Sequence, residues 1–154
     1  MTQSSGISPI IVPPDQGRTL RAFGDEILFH LGGGETGGRF TLFTLLTPPG
    51  GGPPPHYHSH EEEWFLPLEG QVEFFLNGAW RPVSVGSVVY LPRGAVHAFR
   101  NVGQSPLKML GQVAPAGFET FFSRCAEEFA RPGAPDMPRI LEISAEHGIF
   151  FVNA

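Results

Sequence analysis

Pro53-Pro54-Pro55-His56-Tyr57-His58-Ser59-His60-Glu61-Glu62-Glu63 sets three histidines and three glutamates within eight positions. In an extended segment side chains alternate between faces, so His56, His58 and His60 project together and Tyr57 and Ser59 project the other way. Neighbouring imidazoles on one face can converge on an ion, and a glutamate after them can add a hard, anionic ligand. That mixture of neutral imidazole and carboxylate suits Zn, Fe, Mn, Co or Ni. One strand leaves the coordination incomplete, and the next histidine downstream is His97, after Leu91-Pro92-Arg93-Gly94-Ala95-Val96. Taken alone, the cluster also reads as a solvated turn with incidental histidines.

Outward from this stretch, twenty glycines and sixteen prolines break the chain at short intervals, which suits short strands rather than long helices. Eight apolar or alternating segments lie between the breaks: 26–31, 40–47, 63–68, 71–76, 80–85, 87–91, 97–101 and 108–113. Their spacing predicts an all-β sandwich or barrel. Asn77-Gly78 sits between two of them and predicts a two-residue type I′ hairpin. Pro82 cannot donate to a ladder, so its strand is read as an edge or as ending there.

After Pro115 the period changes. Phe118, Phe121, Phe122, Cys125 and Phe129 recur at the spacing of one helical face, predicting a helix over 117–130. Pro132 and Pro135 mark a connector, and Pro138 opens a second, shorter helix to His147, ended by Gly148. Two such helices do not make a separate core, so the Phe face is expected to pack on the outside of the barrel.

The 154 residues match the size of one domain, and a net charge of −5 with scattered basic residues provides no footprint for nucleic acid. No apolar run reaches the roughly 20 residues of a membrane span, and no secretory leader is read at the N-terminus; a cytoplasmic protein without nucleic-acid or membrane partners is expected. Cys125 is the single cysteine, which excludes an intramolecular disulfide and a thiolate-built site.

The spacing around the cluster carries a resemblance. From Gly50, five residues precede His56, one separates it from His58, four lead to Glu63 and six more to Gly70. From Gly86, five precede Pro92, one precedes Gly94, two precede His97 and three lead to Asn101. These stretches resemble the two signature motifs of the cupin superfamily, and the 15 residues between them, Gln71 to Val85, contain the Asn-Gly hairpin that the family places there. The resemblance runs from about Gly24 to Val113. Beyond it, Pro115-Ala116-Gly117-Phe118-Glu119 and the helical tail resemble bacterial single-barrel cupins of the quercetin-dioxygenase-like group.

The resemblance implies a double-stranded β-helix, a jelly-roll-like barrel, with a C-terminal pair of helices outside it. It divides the chain into an N-terminal segment 1–23 contributing an edge strand, a barrel over 24–113 and a helical extension over 114–154. It implies one divalent transition metal (Fe, Mn, Ni or Zn) held by His56, His58, Glu63 and His97. His60 falls outside that spacing and is expected behind the ligands or against substrate. Gly70, Gly86, Gly94 and Pro92 are read as turn formers, Asn101 as a backbone hydrogen-bonder, and His30 and His147 as structural.

Three imidazoles and a carboxylate leave a six-coordinate metal two positions for water, dioxygen or a chelating substrate. A site of net charge near +1 favours an enolate, phenolate or carboxylate oxygen. Three functions stay open: an iron or manganese dioxygenase-like enzyme acting on a small enol, phenol or diketone; a redox-neutral isomerase or hydrolase; and a non-enzymatic small-molecule binding protein. Phe65, Phe74, Phe99 and Tyr90 are candidate wall residues. Open sheet edges and family habit make a homodimer the expected assembly.

Overall fold

A computed structural model describes residues 6–154; positions 1–5 of the expected N-terminal segment lie outside the described residues. The strands are β1 (Arg18–Ala22), β2 (Asp25–Leu31), β3 (Thr41–Thr47), β4 (His56–His58), β5 (Glu62–Glu69), β6 (Val72–Leu76), β7 (Ala79–Val83), β8 (Val89–Leu91), β9 (His97–Asn101), β10 (Leu107–Ala114) and β11 (Ile149–Phe151). A helical turn α1 (Gly33–Thr36) follows β2, and the helices α2 (Phe118–Phe129) and α3 (Met137–Glu146) precede β11.

Two antiparallel sheets face each other, one in the order β1-β2-β3-β10-β5-β8 and the other β11-β4-β9-β6-β7. Alternation along each strand decides what lies between them. β3 buries Thr41, Phe43, Leu45 and Thr47, and β10 buries Leu107, Met109 and Val113 on the same face. Phe65, Phe74 and Phe99 meet inside with ring centroids 5.8 to 5.9 Å apart, a tilted arrangement that favours aromatic clusters. The result is a double-stranded β-helix with two C-terminal helices outside the sheets.

Local signals account for much of the chain path. Asn77 and Gly78 take φ of 51° and 80° between β6 and β7, and Pro82 lies on β7, the edge of its sheet. A second turn of the same kind escaped the sequence reading: Phe23 and Gly24, with φ of 56° and 81°, join β1 to β2. Phe23 tolerates the left-handed region because its ring packs against Phe121, Phe122 and Phe129 of α2. β11 was also missed, being a three-residue strand with no period to detect. It pairs with β4, Ile149 opposite His58 and Phe151 opposite His56, so the C-terminal extension finishes the sheet that bears three of the histidines, His56, His58 and His97.

Gly52 fixes the approach to β4. Its φ is 138°, and a Cβ there would lie 2.0 Å from the Phe99 carbonyl oxygen on β9. Gly52→Ala is expected to cost about 1–3 kcal/mol, read as a lower urea midpoint with an unchanged slope; full stability in the variant would show that the strand can move aside.

Candidate metal centre

Four buried side chains from three strands meet at one end of the space between the sheets. His56 and His58 come from β4, Glu63 from β5 and His97 from the start of β9, and none is more than 8% exposed. His56 and His97 are register partners, with ring centroids 4.4 Å apart. One nitrogen from each of the three histidines lies within 4.8 Å of the others. Glu63 Oε2 sits 3.3 Å from His58 Nε2 and 3.2 Å from His97 Nε2.

Backbone carbonyls orient two of the rings. His56 Nδ1 donates to the Pro54 carbonyl at 2.8 Å, and His97 Nδ1 donates to the Ala95 carbonyl at 2.9 Å. Because a carbonyl only accepts, each neutral ring carries its proton on Nδ1 and turns a free lone pair on Nε2 toward the cluster. These are the contacts that usually orient metal-binding histidines. His58 differs: its Nδ1 faces Glu61 Oε1 at 3.6 Å.

The site fits a cation. Glu63 Oε2 and His97 Nε2 are buried without a hydrogen-bond partner, an arrangement that costs free energy unless something else satisfies them. Three imidazoles and a carboxylate are a donor set for a divalent transition metal. Burial opposes the charge on Glu63, yet the three imidazoles, His58 foremost, bring its pKa down to about 2. Burial also opposes protonation of His58, but Glu63 and Glu61 overcome it and raise its pKa. His56 goes down to about 3, from burial and from repulsion by His97 and His58.

The His56 shift sets an acid limit for the metal-free protein. A histidine whose folded pKa is depressed adds stability above its unfolded value near 6.5, and loses it as pH falls toward the folded value. The metal-free protein is therefore expected to lose melting temperature steadily between pH 6.5 and about 3. His56→Gln should flatten that slope in thermal scans across the range, and an equal slope in both proteins would assign it to other groups.

His60 takes neither expected role. β4 ends at His58, so the alternation lapses, and His60 is exposed with its Nδ1 2.5 Å from Ser59 Oγ. Glu61, which sequence reading passed over, is the buried carboxylate behind His58. His30 faces Thr44 at 2.7 Å on the outer side of the sheet, and His147 faces Arg124 at 3.1 Å. Asn101 donates to the Thr47 and Ser105 carbonyls and accepts from the Gly103 N–H.

The cluster opens into a cavity of about 290 Å³ with mostly aromatic walls. Of the candidate wall residues, Phe65 and Phe99 border it. Phe74 is fully buried behind them. Tyr90 is corrected: β8 turns Val89 and Leu91 inward, leaving Tyr90 outward, 59% exposed and donating to Glu62. The helices outside the sheets also reach the cavity, through Phe118, Phe121 and Phe122 on α2 and Ile140 on α3. Phe118 stands 5.3 Å from Phe43 and 6.4 Å from His58, ring centroid to ring centroid. The Phe stripe therefore packs as core and roofs the site at once.

Comparison with known proteins agrees with the fold. Residues 43–112 match the family described as Cupin domain. It is similar to the structure of a predicted oxalate decarboxylase from Thermotoga maritima, 23% identical, covering 69% of this chain and 99% of that one with a TM-score of 0.61. The polyketide cyclase RemF from Streptomyces resistomycificus is 24% identical, covering 71% and 81% with a TM-score of 0.61. KdgF from Halomonas sp. is 15% identical, covering 72% and 99% with a TM-score of 0.62. At such identities these structures share the fold with this chain. Comparison with curated protein sequences gives no significant match. Among the described residues no helix is long and apolar enough to cross a membrane.

Proposed function

We propose that this protein is a metal-dependent dioxygenase-like enzyme acting on a small enol, phenol or diketone, with His56, His58, Glu63 and His97 as the ligands of one divalent iron or manganese ion. The observation that carries the reading is the buried cluster of three imidazoles and one carboxylate at the end of an aromatic cavity.

A bound metal would supply Lewis acidity toward an oxygen ligand and a site for dioxygen. The residues themselves do the rest. Pro54 and Ala95 hold the His56 and His97 rings in one tautomer. Glu63 brings the single negative charge that leaves room for an anionic substrate oxygen. Phe65, Phe99 and Phe118 provide a dry wall against which an aromatic or enolic body packs.

Anaerobic reconstitution with Fe(II), Mn(II), Ni(II) or Zn(II), followed by dioxygen uptake over diketones, flavonols and catechols, tests it. Uptake is expected with Fe(II) or Mn(II) only and with one substrate class. Turnover without uptake would establish redox-neutral chemistry instead, and tight binding without turnover a carrier; either result overturns the proposal.

A further inference from the structure

Asp25 is the ionisable group lining the cavity that the four-residue cluster does not use. It opens β2, whose inward positions are Asp25, Ile27 and Phe29, so a carboxylate occupies a place where the pattern otherwise sets an apolar side chain. It is 9% exposed and borders the same cavity as His56, His58, Glu63 and His97. Strand registers keep it from joining them. Glu26 pairs with Leu46, so Asp25 stands level with Thr47, whereas Glu63 is level with Thr41 through Val113. The two carboxylates lie at opposite ends of β3, with aromatic rings between.

One of its oxygens is left wanting. Asp25 Oδ1 is buried and has no hydrogen-bond partner, and the facing Thr47 Oγ1 has none either. A carboxylate that serves the fold looks different in this molecule. Glu119 accepts from the Gly33 and Gly117 N–H groups and from the Thr41 hydroxyl, tying α2 to the sheet. Burial pushes the Asp25 pKa up to about 6, with Thr47 acting weakly the other way. At neutral pH most of the population is a buried anion whose Oδ1 has no hydrogen-bond partner, a state that costs free energy unless a donor arrives from outside the chain.

We propose that Asp25 contacts substrate: it accepts a hydrogen bond from a hydroxyl or amino group at the far end of an aromatic ligand whose acidic oxygen is held at the His56, His58, Glu63 and His97 end. The ligand class is thus polar at both ends and aromatic between. The inference rests on the metal-coordination reading above, and adds to it a second point of recognition that selects among phenols or enols by their distal group.

The test uses the full chain loaded with redox-silent Zn(II) and two probes, 4-phenylcatechol and 4-(4-hydroxyphenyl)catechol, titrated calorimetrically. Wild type is expected to bind the hydroxylated probe about 10- to 100-fold more tightly, the range of one hydrogen bond to a charged group. Asp25→Leu should bring the two affinities within about twofold of each other without weakening 4-phenylcatechol. The metal-free melting temperature supplies a second readout: Asp25→Asn and Asp25→Leu should match or exceed wild type, as expected when an unsatisfied functional carboxylate is removed. Equal affinities in wild type, an unchanged preference in Asp25→Leu, or a loss of several degrees in Asp25→Asn would each overturn the assignment. Failure of wild type to bind either catechol would instead sink the coordination reading, since 4-phenylcatechol needs nothing from Asp25.

Discussion

His97→Ala is expected to abolish stoichiometric metal binding and to erase the thermal stabilisation that metal confers on the wild type. His97 joins the β9 end of the site to β4 as the register partner of His56, and its ring is 2% exposed, so no neighbour or solvent ligand replaces it without rearrangement. A ligand that binds only the folded state at 100 times its dissociation constant stabilises by about 2.7 kcal/mol. For a chain of this size that corresponds to a rise of about 5–10 °C. The wild type should show that increment on adding Zn(II) or Mn(II), and His97→Ala should not, whatever truncation does to its metal-free melting temperature. His56→Ala should behave in the same way. Unchanged metal content in both variants, measured by elemental analysis, would show that the ligands lie elsewhere.

A chain ending at Ala114 is expected not to fold. The stop would fall at the end of β10, one residue past the boundary that sequence reading drew between the barrel (24–113) and the extension (114–154). Yet Phe121, Phe122, Cys125, Ile140, Ile143 and Ile149 beyond it are all at least 95% buried and belong to the same hydrophobic cluster as Phe29, Phe43 and Phe65. Burying one large apolar side chain stabilises by about 1.5–3 kcal/mol, and net stabilities are only about 5–15 kcal/mol. Deletion would also expose the inner aromatic wall and strip β11 from β4, leaving the strand of His56 and His58 paired only at His56 with His97. Far-ultraviolet circular dichroism and one-dimensional NMR dispersion decide the matter. A cooperative, metal-binding fragment would establish the barrel as an autonomous unit. Phe122→Ala in the full chain is the milder counterpart and should cost about 3–5 kcal/mol.

Much of the fold was legible because its signals are local. Strand alternation, the Asn77-Gly78 turn and the helical period of Phe118, Phe121, Phe122 and Cys125 each depend on residues close in sequence, and each appears within a residue or two of its expected place. The Phe23-Gly24 turn and β11 were missed for the opposite reason. Phe23 holds a left-handed φ through packing against α2, more than 95 residues away, and β11 exists because β4 offers it a ladder. The Asp25 signal was present but overlooked: in Asp25-Glu26-Ile27-Leu28-Phe29 the aspartate shares parity with two core residues.

By itself the sequence determined that a crowded stretch of histidines and glutamates belongs to a two-motif barrel, and that His56, His58, Glu63 and His97 are the four to watch. The resemblance of the motif spacing to the two cupin signatures carries that information; the two-residue repeat of side-chain direction by itself groups only His56, His58 and His60. Only the tertiary structure decided that these four side chains share one buried point, that His60 turns to solvent and Glu61 stands behind His58, and that the tail roofs the cavity. It also decided that Asp25 faces the same space from the far end of β3. Those outcomes depend on which strands become neighbours and which faces meet across the sheets, contacts between residues far apart in the chain that no local period records.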